Sequence, residues 1–119
     1  MNNVDRLRNI NDLFKDCLNI LDKKGHDYSG DEDANSNFKI LAERLKGRGL
    51  DKYDIWFVYF EKHLSAIETF INTRKLESEG IQGRIQGAIN YLAILHTLLI
   101  EDYENILSLE QLERKNEHI

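Results

Sequence analysis

The sequence contains no proline, a single cysteine and no long apolar run. Proline is common in turns and at sheet edges, so its absence from a chain with long 3.6-residue periodicity favours an all-helical domain. A disulfide within the chain is excluded, and the position of Cys17 on an apolar helical stripe indicates a packed thiol. No segment approaches the roughly 20 apolar residues of a membrane span, and the start of the chain lacks the hydrophobic stretch of a signal peptide. We therefore expect a cytoplasmic protein that makes no membrane contact.

Positive charge is also scarce, with 16 lysines and arginines against 21 acidic residues and a net charge of −5. Binding to duplex nucleic acid depends on neutralising many phosphates, so this balance argues against such a partner. A small anionic ligand needs only a few local cations. The length of 119 residues predicts one domain, residues 1–119, with a core over 4–102 and a tail over 103–119.

Several catalytic signatures are missing as well. The chain has no serine-nucleophile motif, no phosphate-binding glycine loop and no paired cysteine ligands. Its four histidines stand apart in sequence, so a zinc site would have to be assembled entirely by the fold. These absences remove the commonest hydrolase, nucleotide-loop and zinc-site classes.

Apolar residues recur three or four positions apart and predict a bundle of four main helices followed by a short C-terminal helix. The first helix starts near Val4 and ends at Gly25, where lysines in the last turn oppose the helix dipole. A loop over Gly25 to Asn37 leads to the second helix, with Asn35 or Ser36 as its N-cap. Asp51 or Asp54 opens the third helix. The fourth begins near Glu77 and ends near Asp102, and Ser108 has the spacing of a cap for the short last helix.

The third helix is apolar most of the way round, from Tyr53 to Ile71. A helix of this kind is usually central in its domain or buried in an oligomer. With so few helices available, we predict a homo-oligomer formed through helices three and four.

The fourth helix has two stripes. Its core stripe consists of Ile81, Ile85, Ile89, Leu92, Leu95 and Leu99, and its polar stripe of Glu79, Gln82, Gln86 and Asn90. Gly83 and Gly87 lie one turn apart beside the polar stripe, although each glycine in a helix interior costs about 1 kcal/mol relative to alanine. The space they leave admits either the backbone of another helix or a ligand in a cleft.

A nucleotide is bound by cations at its phosphates, by amides at its base or ribose edges and by an aromatic ring against its base. The candidate cations are Lys24, His26, Lys62, His63 and Arg84. The candidate partners for base and ribose are Tyr28, Gln86, Asn90 and Tyr91, and Glu79 belongs to the same polar stripe. These residue types suit binding and not catalysis, because no nucleophile or base is paired with an orienting group.

Carboxylates support a rival interpretation. A magnesium-dependent nucleotide hydrolase needs several acidic side chains on facing helices, because magnesium takes oxygen ligands and bridges substrate phosphates. The candidates are Glu61 and Glu68, two turns apart on the third helix, together with Glu79. In a chain with 21 acidic residues, such pairs usually lie in solvent.

Four segments, KGHDYSG, NFKILAERL, FEKHLSAIETF and ESEGIQGRIQGAINYLAIL, resemble small phage-encoded proteins related to the nucleotide modification associated domain. That group is similar to the all-α, MazG-type nucleotide pyrophosphatases, and the resemblance covers Lys24 to Glu101. The last block of the family maps onto Glu79, Ile81, Arg84, Asn90 and Tyr91. Gly87 stands where the family has an aspartate, and Gly83 where more distant relatives have a further acid.

The resemblance implies that metal ligands have been lost and that the pocket binds without hydrolysis. It further implies a phage protein that sequesters a nucleotide or a nucleotide-derived immune signal in the cytoplasm of the infected cell, without a cofactor. Two alternatives stay open at this point. One is a magnesium-dependent nucleotide pyrophosphatase that uses Glu61, Glu68 and Glu79, and the other is a structural or protein-binding helical module.

Overall fold

The structure is a computed structural model that describes residues 1–29 and 33–117, with side chains described except those of 25–29, 104–112 and 115–117. It contains α1 (Asn3–Ser29), α2 (Ser36–Leu45), a 3₁₀ turn (Lys46–Arg48), α3 (Lys52–Thr73) and α4 (Ile81–Glu117). No strand occurs in these residues, so the predicted all-α fold of four packed helices is confirmed. None of the helices in the described ranges is long and apolar enough to cross a membrane.

The predicted end of α1 is wrong, because the helix continues through Gly25 to Ser29. A glycine costs only about 1 kcal/mol inside a helix, and no proline follows to interrupt the hydrogen bonds. The connection to α2 is correspondingly short. It spans residues 30–35, and 30–32 lie outside the described residues.

The start of α3 is confirmed and uses both predicted aspartates. The Asp51 carboxylate accepts hydrogen bonds of 3.0 Å from the backbone N–H groups of Tyr53 and Asp54, and the Asp54 carboxylate accepts one of 2.9 Å from the Asp51 N–H. This reciprocal capping satisfies donors that a helix start leaves unpaired. The helix ends at Thr73 and is capped by Arg74, which has a left-handed backbone conformation with φ of 61°.

The predicted start of α4 is wrong, and its predicted end lies beside a break within a longer helix. The helix begins at Ile81, so Glu77 and Glu79 precede it. Tyr103 has non-helical angles, φ −126° and ψ 29°, and divides the helix near the predicted end at Asp102. The backbone is helical again beyond this break, which matches the predicted C-terminal helix, but Ser108 lies within that segment and not at its start.

The core lies where α3 packs against α4, with α2 across one side. Its buried members are Phe38, Ile55, Trp56 and Leu98. Trp56 stacks on Phe60 with ring centroids 4.8 Å apart. Its indole N–H donates a 2.6 Å hydrogen bond to the backbone carbonyl of Tyr91 on α4.

The core stripe predicted for α4 is partly wrong. Leu98 is fully buried, whereas Leu92 is half exposed. The face that packs on the core carries Tyr91, Ile94, Leu95 and Leu98, which also has helical spacing. Periodicity alone allowed either face, and the position of α3 decided between them.

Candidate functional site

A cavity of about 360 Å³ lies between the second half of α1, the start of α2, the middle of α3 and the first half of α4. Six predicted site residues line it: Lys24, His63, Glu79, Gln86, Asn90 and Tyr91. Apolar side chains, among them Ile20, Leu21 and Phe38, form much of the remaining wall. A mostly apolar wall with a few convergent polar groups, at the lower end of the usual volume range of about 300–1,000 Å³, is typical of small-molecule sites.

The imidazole of His63 projects from α3 and lies over Gly87 of α4. A methyl group added at Gly87 would lie 2.6 Å from Nδ1 and 2.8 Å from Nε2 of that ring. The ring of Tyr91 is 5.3 Å away and tilted by 38°. The space at Gly87 is therefore occupied by a side chain of the cavity wall.

The Nδ1 atom of His63 is buried and has no hydrogen-bond partner among the described residues. Burial lowers the pKa of His63 below its usual range, the positive charges of Arg84 and Lys24 add to this effect, and Glu79 opposes it. Each cause except Glu79 disfavours the charged ring. His63 is consequently a neutral imidazole near pH 7, and its buried Nδ1 is left without a hydrogen-bond partner among the described residues.

Glu79 and Arg84 form one edge of the site just before and within the first turn of α4. The Glu79 side chain folds over Gly83, where an added methyl group would lie 3.0 Å from its Cγ. Arg84 Nε lies 3.4 Å from Glu79 Oε2 in an ion pair. That contact lacks hydrogen-bond geometry, so this buried Nε has no hydrogen-bond partner in the described part of the chain. Arg84 does not line the cavity, but it contacts Glu79, which does.

Two amides of α4 line the cavity one turn apart. Asn90 is buried and Gln86 half-buried, and within the described ranges neither side-chain amide makes a hydrogen bond. Cys17 Sγ lies 3.9 Å from the Gln86 carbonyl oxygen and joins α1 to this part of α4. Burial, with Asp16 nearby, raises the pKa of the Cys17 thiol, which keeps it protonated.

Several predicted residues lie elsewhere. Lys62 is exposed at a separate shallow groove, with Nζ 5.3 Å from the centroid of the Tyr59 ring. Glu61 accepts a 3.0 Å hydrogen bond from Ser65, and Glu61 and Glu68 are both exposed on α3 away from the cavity. His26 and Tyr28 have helical backbone, but their side chains lie outside the described residues.

Asn35 and Thr97 also line the cavity, although they were not among the predicted site residues. The Asn35 amide donates to Thr97 Oγ1 at 3.1 Å and to the Glu101 carboxylate. Lys39 in turn bonds Asp33 at 2.8 Å and Glu101 at 2.5 Å, which raises the pKa of Lys39 to about 12 and lowers that of Glu101. Extending the polar stripe beyond Asn90 at helical spacing would have found Thr97 and Glu101.

No family model matches the chain, and neither the curated proteins nor the solved structures contain a match. The resemblance to the nucleotide modification associated domain stays a prediction.

Proposed function

We propose that this protein binds and sequesters a nucleotide or a nucleotide-derived immune signalling molecule without hydrolysing it. One observation carries the proposal: His63 holds a buried, unpartnered nitrogen in the wall of a cavity that also exposes a lysine and two amides. Buried polar atoms without partners are rare and costly in folded proteins. A ligand that supplies the missing partner removes that cost.

The wall offers groups suited to both ends of a nucleotide. Lys24 and His63 are available to phosphate oxygens, and Gln86 and Asn90 present amides that pair with the edges of a base. Glu79, at the same wall, repels phosphate and accepts hydrogen bonds from hydroxyl or amino groups. The opposed charges of Lys24 and Glu79 therefore give the ligand a preferred orientation.

The arrangement of carboxylates favours binding over hydrolysis. Of the three acids required by the pyrophosphatase alternative, Glu79 alone lines the cavity. Among the described residues, no three histidine, cysteine, aspartate or glutamate side chains are grouped closely enough to hold a metal ion. At Gly83 and Gly87, where the family resemblance places acids, the space is taken by the side chains of Glu79 and His63.

The identity of the ligand as an immune signal, and the cytoplasm of an infected cell as the location, rest on the sequence resemblance. The cavity contributes the chemistry of recognition. Its volume of about 360 Å³ favours a ligand of nucleotide size over a larger one.

The proposal includes a homo-oligomer formed through α3 and α4. Phe57, Val58 and Ile71 of α3 and Leu92 of α4 are each more than half exposed. Phe57 and Val58 also border a shallow, mostly apolar groove of about 510 Å³ between α2 and α3. An exposed apolar groove such as the one at Phe57 and Val58 is characteristic of interaction sites.

The test is to incubate the purified protein with a panel of mono-, di- and cyclic nucleotides, with and without magnesium or manganese. The filtrate and the fraction released by heat are both analysed by mass spectrometry. We expect one nucleotide to be depleted from the filtrate and recovered unchanged after denaturation. New products that require metal would establish the pyrophosphatase, and retention of no nucleotide would favour the protein-binding module.

The site itself is tested by the Arg84→Ala/Asn90→Ala double variant. It should lose binding of the retained nucleotide and keep its helical circular dichroism, because it removes one amide of the wall and the partner that positions Glu79. The Arg44→Ala/Gln82→Ala variant is the matched control, since it removes an arginine and an amide that are exposed. Unchanged affinity in the first variant would refute the assignment.

A further inference from the structure

α1 has two apolar faces with different surroundings. Cys17 is buried against α4, and Ile20 lines the cavity. Val4, Leu7, Phe14 and Leu18 lie on the other face and are between 54% and 67% exposed. A single helix thus packs on its own domain with one face and presents a second apolar face to its surroundings.

The second face has the spacing of a coiled coil. Positions 4, 7, 11, 14 and 18 alternate steps of three and four, which is the pattern of seam positions a and d in a seven-residue repeat. Leu21 continues the pattern beside the cavity. Asn11 occupies a central a position and is exposed with its neighbours. These side chains are named the α1 seam: Val4, Leu7, Asn11, Phe14, Leu18 and Leu21.

The exposed area is large for so small a chain. Four large side chains exposed to this degree present on the order of 500 Å² of surface, within the range of the largest apolar patch on a typical monomer. The α1 seam supplies much of the roughly 800 Å² that each partner contributes to a stable interface.

We propose that a second copy of this chain covers the α1 seam, with the two α1 helices parallel and in register. In this arrangement Asn11 faces Asn11 of the second copy, and a single asparagine at an a position is a known determinant of register and partner number. The seam itself contains no charged side chain. A copy of the same helix is thus chemically compatible with it.

Flanking charges select the parallel orientation. Arg8 and Lys15 occupy e positions, which in a parallel pair face the g positions of the other helix. Those positions hold Asn3 and Ile10, which are uncharged. In an antiparallel pair, Arg8 of each copy would lie against Lys15 of the other copy. Such like-charge pairs are unfavourable.

This interface is distinct from the one proposed through α3 and α4, and it does not depend on the proposed ligand. It does touch the candidate site, because α1 contributes Ile20, Leu21 and Lys24 to the cavity wall. Pairing of α1 would hold that wall in place. The α1 seam is therefore a dimer contact that also supports the cavity.

Disulfide trapping tests the pairing and its register together. In a Cys17→Ser background, which removes the native thiol, Asn11→Cys places one cysteine at the centre of the seam. Mild oxidation should convert most of the protein to a covalent dimer on a non-reducing gel. The matched control, Asn9→Cys in the same background, lies on the far side of α1 and should stay monomeric on that gel. No dimer from Asn11→Cys, or equal dimer from both variants, would overturn the proposal.

Analytical ultracentrifugation provides the second measurement. Leu7→Lys/Leu18→Lys should reduce the native mass at least twofold, with circular dichroism unchanged because both residues are exposed. Phe57→Lys/Val58→Lys, on α3, should leave the Asn11→Cys crosslink intact. An unchanged mass in the Leu7/Leu18 variant would contradict the proposal. The cysteine variants test the pairing independently, because they keep every apolar residue of the seam.

Discussion

The two buried asparagines, Asn35 and Asn90, have nearly equal exposure, 7% and 8%, and opposite surroundings. Asn35 bonds Thr97 and Glu101, within a cluster that Lys39 and Asp33 complete. Asn90 makes no side-chain hydrogen bond in the described part of the chain. Both line the same cavity, so their difference separates a structural polar group from one that is open to a ligand.

The same contrast divides α4 along its length. Near its break, Asp102 accepts hydrogen bonds of 2.6 Å from Lys52 and from the Tyr53 hydroxyl, which lowers the pKa of Asp102. Burial, together with the bond to Asp102, raises the pKa of Tyr53. In its first half, the buried Nε of Arg84 lacks a hydrogen-bond partner among the described residues, as does Nδ1 of His63, packed against this half of the helix. Polarity alone does not mark a site; unsatisfied polarity beside a cavity does.

The largest expected effect follows from displacing His63. Gly87→Ala places a methyl group within van der Waals overlap of the imidazole, which must swing away. We expect affinity for the nucleotide retained in the filtration panel to fall about 10–100-fold, since a hydrogen bond to a charged group contributes about 1.5–3 kcal/mol. Isothermal titration calorimetry measures this loss.

Stability should change by less than about 1 kcal/mol in Gly87→Ala, because the gain in helix propensity offsets the movement of a flexible side chain. Gly47→Ala is the control, as its added methyl group meets open space. Full affinity in Gly87→Ala would show that His63 does not take part in binding.

The two asparagines should respond differently to leucine. Asn35→Leu removes the partner of Glu101 and should lower the free energy of unfolding by about 1–2 kcal/mol, whereas Asn90→Leu should change it by less than about 0.5 kcal/mol. Urea titrations followed by circular dichroism give both values, provided that the m-values agree. Equal losses in the two variants would abolish the distinction on which the site assignment depends.

A smaller effect separates two lysines that the sequence analysis treated alike. Lys24→Ala should weaken binding of the retained nucleotide about tenfold, because its side chain lines the cavity. Lys62→Ala should weaken it less than about twofold, because Lys62 lies at the other groove. The reverse order would move the phosphate position to the α2–α3 groove.

The smallest expected effect is the dependence of binding on pH. His63 has a lowered pKa in the free protein, and a neighbouring phosphate raises it, so binding takes up a proton. Affinity should rise about threefold as the pH falls from 7 to 6, and uptake of one proton limits the rise to less than about tenfold. His63→Gln should flatten this profile, and a pH-independent affinity in the wild type would contradict contact between phosphate and His63.

Stability of the free protein should follow the opposite trend. Since the unfolded chain binds a proton at position 63 more readily than the folded chain, the free energy of unfolding falls as the pH drops below about 6.5. It levels off below the lowered pKa of the folded state. The same variant, His63→Gln, removes this contribution.

Sequence reasoning identified the helices better than their ends and faces. The aspartates that open α3 were predictable because capping signals are local. The passage of α1 through Gly25 was not, because one glycine is too weak a signal to end a helix. The burial of Leu98 in preference to Leu92 depends on where α3 packs, a contact between distant parts of the chain.

For the site, the pair of glycines was an informative local signal. A glycine inside a helix costs stability, so Gly83 and Gly87 marked positions where space is needed. The sequence could not show that Glu79 and His63 fill that space, since Glu79 lies outside the helix and His63 belongs to another one. Nor could it separate Lys24 from Lys62.

The sequence by itself determined the helical class, because periodicity and the lack of proline act on each segment independently of the others. It also determined the residue types available to a ligand. The tertiary structure alone decided which of those residues share a cavity, which asparagine is satisfied and which face of α1 stays uncovered. Those outcomes depend on how whole helices are rotated against one another, and that rotation is set by the packing of Trp56, Leu98 and their neighbours at long range in the chain.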